Sequence, residues 1–309
     1  MKILKSVLLW VLAVLIASVM MVYQRTTGPT YPYHGKATIG GETYSYQLLR
    51  SHELAPDENG SLDHIVRLAI PDSSVTATLY FKRLGVDEPY TVVPMTREGE
   101  ELTATLPHQP AAGKLVYHIT LNRGDVSEDL PAPGETVTIR FKGAVPLGIL
   151  LPHILAMVLV MIFSVRAALA ALFKEKVRPL ALTALVILVI GGFVLGPLVQ
   201  KYAFDAYWTG WPFGEDLTDN KTATAVLAWV IALIMLRGPE GEKRGRWWSV
   251  GAAVVVLAVY TIPHSMGGST FDYSSGQIET GMGAVPAETS TPAASSTQTD
   301  SVEPATPSD

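Results

Sequence analysis

Five apolar runs punctuate the chain: Ser6–Tyr23, Pro146–Val165, Leu180–Val199, Thr222–Leu236 and Trp247–Pro263. A helix crossing about 30 Å of hydrocarbon needs about 20 mostly apolar residues, and each run reaches that length with its flanks. The pattern predicts five membrane-spanning helices. Between the first and second, residues 30–145 change period. Val75, Ala77, Leu79 and Phe81 fall on one face of an extended segment, with Thr76, Thr78, Tyr80 and Lys82 on the other. Leu115, Tyr117, Ile119 and Leu121 repeat that alternation, as do Val137, Ile139 and Phe141. Period two is the signature of half-buried strands. Thr43–Arg50, His64–Ile70, Tyr90–Met95 and Glu101–Leu106 are further candidates, separated by turn signals such as Glu58-Asn59-Gly60, Arg97-Glu98-Gly99 and Asn122-Arg123-Gly124. Seven or eight short strands in about 110 residues predict an antiparallel β-sandwich. The fold class is therefore multi-domain α and β, with a β-sandwich inserted between a first transmembrane helix and a four-helix transmembrane bundle.

Charge orients the spans, because cytoplasmic loops retain Lys and Arg. Lys2 and Lys5 precede the first run; Arg166, Lys174, Lys176 and Arg178 lie between the second and third; Arg237, Lys243, Arg244 and Arg246 lie between the fourth and fifth. Five crossings with the N-terminus inside put both basic loops in the cytoplasm and the β domain and C-terminus outside. The tail 265–309 carries six acids and no Lys or Arg, and its Ser, Thr and Pro content predicts disorder. The domain plan is 1–29 anchor, 30–145 β-sandwich, 146–264 bundle with an aromatic–acidic loop 201–221, and 265–309 tail. The first span reads as an uncleaved signal anchor, since its apolar core is as long as a true span and no clean Ala-x-Ala site ends it; a cleaved signal peptide is the alternative. Cysteine is absent, so disulfides, thiolate metal sites and cysteine nucleophiles are excluded. There is no basic patch of the nucleic-acid-binding kind.

The loop after the third span joins Tyr202, Phe204, Tyr207, Trp208, Trp211 and Phe213 to the acids Asp205, Glu215, Asp216 and Asp219. Trp and Tyr settle at membrane interfaces, and Asp219 or Asn220 can cap the fourth span. So many rings nevertheless point to a loop folded back on the bundle. Two Pro-His pairs lie on the same side, Pro152-His153 and Pro263-His264. Pro152 can open the second helix and set His153 near the surface. A helix opening at Pro146 instead sets His153 about 10 Å deeper, where burial of a polar ring suggests function. Three readings stay open for this face. The first is interfacial or capping histidines. The second is haem b or quinone binding through His153 and His264. The third is a divalent metal or proton site combining His153 and His264 with Asp205, Glu215, Asp216 and Asp219. In the β domain, His34, His52, His64, His108 and His118 show no ligand spacing, and His118 reads as a solvated surface residue. No nucleophile–base constellation is present, which argues against an enzyme.

The series Val75-x-x-x-Leu79-x-Phe81, Tyr90-x-Val92-x-x-Met95, Leu102-x-Ala104-x-Leu106-Pro107 and Gly113-Lys114-Leu115-x-Tyr117-x-Ile119 resembles bacterial immunoglobulin/fibronectin-III-type modules. That resemblance implies binding or spacing rather than catalysis. The segments Phe193–Gln200, Tyr207–Lys221 and Ile262–Ser269 resemble a group of bacterial integral membrane proteins with a Trp-Thr-Gly-Trp-Pro-Phe-Gly loop and an Ile-Pro-His-Ser ending. This second resemblance implies bacterial origin and a membrane setting, and no particular reaction. Together they lead to the expectation of an envelope protein, seated in the lipid bilayer, whose outer domain binds or organises another envelope protein.

Overall fold

A computed structural model describes residues 2–263 and 268–280. The inserted domain consists of β1 (Tyr33–Ile39), β2 (Glu42–Leu48), β3 (Ser51–Leu54), β4 (His64–Ala69), β5 (Thr76–Arg83), β6 (Thr91–Pro94), β7 (Thr96–Glu98), β8 (Glu101–Leu106), β9 (Lys114–Arg123), β10 (Val126–Leu130) and β11 (Val137–Gly143). One sheet runs β3-β11-β9-β5-β6, with β10 also on β9; a second runs β4-β8-β7; β1 and β2 form a hairpin. The alternating apolar positions turn inward as their period requires: Leu79, Tyr117, Ile119, Leu121, Ile139 and Phe141 meet Val66, Leu68, Leu102 and Leu106 in one core. Tyr117 also satisfies its hydroxyl by donating to the Leu49 carbonyl at 2.9 Å.

One pairing departs from the all-antiparallel expectation. β3 lies parallel to β11, with His52 opposite Phe141. No tight turn joins these two strands, so no hairpin geometry dictates their direction. The strand count is also higher than expected, because β1, β3, β7 and β10 are short or carry small and polar residues that blur the alternation.

The helices are α1 (Lys2–Thr27), α2 (Leu147–Leu172), α3 (Arg178–Leu188), a π-helical segment (Val189–Leu195), α4 (Gly196–Phe204), α5 (Leu217–Met235), α6 (Gly241–Arg244) and α7 (Arg246–Thr261). Among the described residues, four helices are long and apolar enough to cross a membrane: Ile3–Thr27, Leu147–Leu172, Arg178–Phe204 and Leu217–Met235. The expected fifth span yields a shorter helix, α7, of 16 residues, because the chain leaves helical geometry at Ile262 before Pro263. α7 nevertheless runs the depth of α5 in the opposite direction. Its start is packed on Leu236 through Gly245, and its end is held where Lys221 Nζ donates to the carbonyls of Ile262 (3.1 Å) and Pro263 (3.3 Å).

Small residues line the helix contacts: Ala17, Ala167, Ala170, Ala181, Ala184, Ala225, Ala232, Ala252 and Ala253 are all buried. Their size lets backbones approach closely, the usual basis of helix association in lipid. Trp229 fills the space between, and its indole N–H donates to Ser164 Oγ at 3.2 Å. At the end remote from the β domain, the buried Arg166 pairs with Glu175 at 2.7 Å and lies 5.5 Å from the Trp10 ring. Lys5 of α1 also reaches Glu175, at 3.6 Å. Glu242 accepts from the backbone N–H groups of Val177 (3.0 Å) and Arg178 (3.2 Å), capping the start of α3. Leu9, Ala13 and Ala17 of α1 are buried against the bundle, so α1 packs as one of its members.

His64 opens β4 on the core-facing parity. Burial, with His52 beside it, pushes its imidazole down to about 4 from the usual 6.5. Between those values the unfolded chain binds a proton that the folded chain refuses. Stability therefore falls as pH drops through this window and is flat above it, by up to about 3 kcal/mol from this group. Urea titrations of the full chain with chelator present, scored by proteolysis of the β domain, should show that loss from pH 6.5 to 4. His64→Leu should remove most of it, leaving a smaller slope from His118, whose pKa burial also lowers.

Candidate functional site at the domain–bundle junction

The loop that follows α4 does not stand clear of the bundle. Asp205 takes a left-handed conformation at the end of α4 and reverses the chain. The Trp208 ring then stacks on Phe193 with centroids 5.3 Å apart. Phe193 lies eleven residues before Phe204, about 16 Å back along the helix at about 1.5 Å per residue. The folded-back loop read from the ring content is therefore present.

Polar groups fasten it. Asp216 caps α5 by accepting from Thr218 N–H at 2.7 Å, and its other oxygen takes the Thr209 hydroxyl at 3.2 Å. One oxygen of Asp219 accepts from the backbone N–H groups of Thr209 (2.6 Å) and Gly210 (3.0 Å). The Asn220 side-chain oxygen takes Trp211 N–H at 2.7 Å, and the Gln200 side chain bonds the Thr209 hydroxyl. Gly210 has to be glycine, since a Cβ there would lie 2.5 Å from the Asp219 side chain. The loop thus presents Trp211 and Phe213 outward, 78% and 83% exposed.

Of the acids singled out in the sequence, the structure brings Asp216 and Asp219 together around Thr209. It leaves the other two apart: Asp205 is ion-paired with Lys201 at 2.6 Å, and Glu215 is exposed. His264 lies outside the described residues, as does the tail from Gly281 onward. Among the described residues, no group of three or more His, Asp or Glu side chains is arranged to hold a metal ion.

His153 takes the deeper of its two positions. α2 opens at Leu147 with Pro146 as its N-cap, so Pro152 is inside the helix. His153 is half-buried, and its Nδ1 lies 3.0 Å from the Gly191 carbonyl oxygen. A carbonyl can only accept, so Nδ1 carries the proton and Nε2 the lone pair. Gly191 belongs to the π-helical segment, and its carbonyl also takes the N–H of Gly196. Glycine is needed there because a Cβ on Gly191 would come within 2.7 Å of Ala156. Single π turns inside α-helices often mark functional positions.

The β domain meets this end of the bundle directly. The Arg140 guanidinium lies 4.7 Å from the Phe204 ring, and the Tyr202 carbonyl would be 2.2 Å from a Cβ at Gly143. Burial lowers the Arg140 pKa to about 10, opposed by Asp216.

A second tie was not legible in the sequence. Part of the expected disordered tail forms a hairpin, β12 (Thr270–Asp272) and β13 (Gln277–Glu279), docked on the β domain. Phe271 N–H donates to the Ala112 carbonyl (3.1 Å), Lys114 Nζ to the Thr270 hydroxyl (2.6 Å), and Lys114 N–H to the Tyr273 hydroxyl (3.1 Å). Thr280 then bonds the loop, accepting from Glu215 N–H at 3.2 Å. The only hint in the sequence was the aromatic pair Phe271 and Tyr273 in an otherwise polar stretch.

The β-domain histidines are not simply solvated. His118 stacks on Tyr80 with centroids 4.8 Å apart and meets Tyr90 edge-on at 5.1 Å, with Nδ1 buried. The outward parity of its strand is right; the neighbouring rings, which no local spacing reveals, cover it. His108 pairs with Asp63 at 2.7 Å.

No known family matches the chain, and no curated protein matches it either.

Asp219→Ala should strand two loop N–H groups near an apolar surface. The expected cost is about 1–3 kcal/mol, confined to the loop. Hydrogen exchange should show amides 209–211 losing protection while those of β9 keep theirs.

Proposed function

We propose that this chain is a multi-pass protein of the bacterial inner membrane, with its N-terminus inside, that holds an immunoglobulin/fibronectin-III-like β-sandwich outside the cytoplasm. The sandwich binds or organises another envelope protein. The supporting observation is the double fastening of the β domain to one end of the bundle, by Arg140 on Phe204 and by the β12–β13 hairpin. A module held in fixed orientation on a membrane base suits presentation of a binding surface better than a freely tethered one. The orientation is supported by charge: Lys5, Arg166, Arg178 and Arg246 gather at the opposite end. The span-by-span match of α7 to the depth of α5 supports a fifth crossing, and the packing of α1 supports an uncleaved anchor.

Topology is tested first. Because the chain has no cysteine, single cysteines report cleanly. Glu58→Cys should react with an impermeant thiol reagent on intact spheroplasts, and Lys243→Cys should react only after lysis. The reverse pattern would overturn the orientation. A photo-crosslinker at the exposed Val92 or Val126 should then give a discrete envelope-protein adduct in cells; lipid adducts alone would remove the binding role.

A second reading rests on His153. Its Nδ1–H is held by the Gly191 carbonyl, which leaves Nε2 free to ligate haem iron or bond a quinone. Purified protein should then show a Soret band that His153→Ala removes; a colourless preparation without quinone would eliminate this reading.

A further inference from the structure

We propose that His52 and His64 form a two-imidazole site for Cu2+ on the β domain, one strand away from the β11 residues that meet the bundle. His52 stands on β3, in the larger sheet, and His64 on β4, in the smaller one. The two rings meet where these sheets close over the edge of the core, with centroids 5.0 Å apart and planes tilted by 50°. Metal–imidazole bonds of about 2.0–2.1 Å put each ring centre about 3 Å from the ion, so two cis imidazoles, at the roughly right angle of a tetragonal site or somewhat wider, have centres about 4.5–5 Å apart. The observed separation fits that arrangement.

The hydrogen bonds point the same way. His52 Nε2 lies 3.0 Å from the Leu62 carbonyl oxygen. It must therefore be the protonated nitrogen, and Nδ1 carries the lone pair. A backbone carbonyl holding the remote N–H is the usual support of a metal-ligating histidine. His64 is 7% exposed, yet no hydrogen bond reaches its ring among the described residues. Neither ring nitrogen is sealed from solvent without a partner, so an ion can reach His64 from outside. The Phe141 ring, 5.5 Å from His52 and nearly perpendicular to it, fixes the ring from the other side.

Donor chemistry selects the ion. Asp63, the adjacent carboxylate, is turned away to His108, taking its backbone N–H at 2.8 Å and its Nδ1 at 2.7 Å. The protein therefore offers two neutral nitrogens, with water completing the shell. Nitrogen sites of this kind bind Cu2+ most tightly among the divalent first-row ions. No thiolate in the chain competes, because it has no cysteine.

The test uses the full chain in detergent, stripped with chelator and titrated with Cu2+. Wild type should bind one ion per chain, with electron paramagnetic resonance showing hyperfine coupling to two imidazole nitrogens. Zn2+ should displace it only in excess. His52→Gln and His64→Gln should each weaken binding at least tenfold and lose that two-nitrogen signature. His118→Gln and His153→Gln should bind as wild type does. Copper should also raise the urea midpoint of the β domain in wild type and not in His52→Gln. Should His64→Gln fail to fold, His52→Gln decides, since His52 is half-exposed and glutamine can still donate to Leu62. Unchanged binding in His52→Gln, absence of one-to-one binding, or tighter binding of Zn2+ would each overturn the proposal and leave the two rings as packing.

Discussion

A backbone N–H that leaves water must find an acceptor, and at the junction Asp219 supplies it. Its carboxylate takes two consecutive loop amides, Thr209 and Gly210. Asp216 caps α5 and holds the Thr209 hydroxyl, while Asn220 takes Trp211. Three polar side chains in the first turn of one helix thus satisfy a loop that would otherwise be unable to lie against apolar surface. Everything above them depends on that seat. Thr280 bonds Glu215 only because the loop is folded down, and the hairpin preceding Thr280 joins the loop to the β domain.

The same rule explains why the bundle tolerates its irregular third helix. Pro197 has no N–H to offer, and the preceding π segment shifts the hydrogen-bond ladder by one residue. The Gly191 carbonyl gains a second donor in His153. Gly191 and Gly192 let α2 and α5 approach that segment closely, since a Cβ on Gly192 would come within 2.5 Å of Thr222. Imidazole, glycines and proline therefore act as one unit at this level of the bundle.

The parts of the fold legible in the sequence were those with a strong period. β5, β8, β9 and β11 alternate bulky apolar residues with polar ones, and their inward faces fall where that alternation puts them. β1 hides its inward face behind Gly35 and Ala37, and β10 reads Val-Ser-Glu-Asp-Leu, which resembles a loop. The hairpin β12–β13 is polar and only three residues per strand, so composition assigns it to the tail. For the candidate site, residue type was informative and partnership was not. The ring content announced a folded loop, yet whether Asp219 ligates an ion or brackets a backbone depends on Thr209 and Gly210 lying ten and nine residues away. Likewise His52 and His64 share no spacing motif; the packing of two separate sheets brings them together.

The docked hairpin also has a mechanical meaning. Chain that continues past Thr280 departs from the junction rather than from the end of α7. A load applied there is shared among Thr280 on the loop, Lys114 on Thr270 and Phe271 on Ala112 before it reaches the last helix. Tension on the tail would therefore pull β domain and bundle as one body, with the last helix α7 shielded from direct traction.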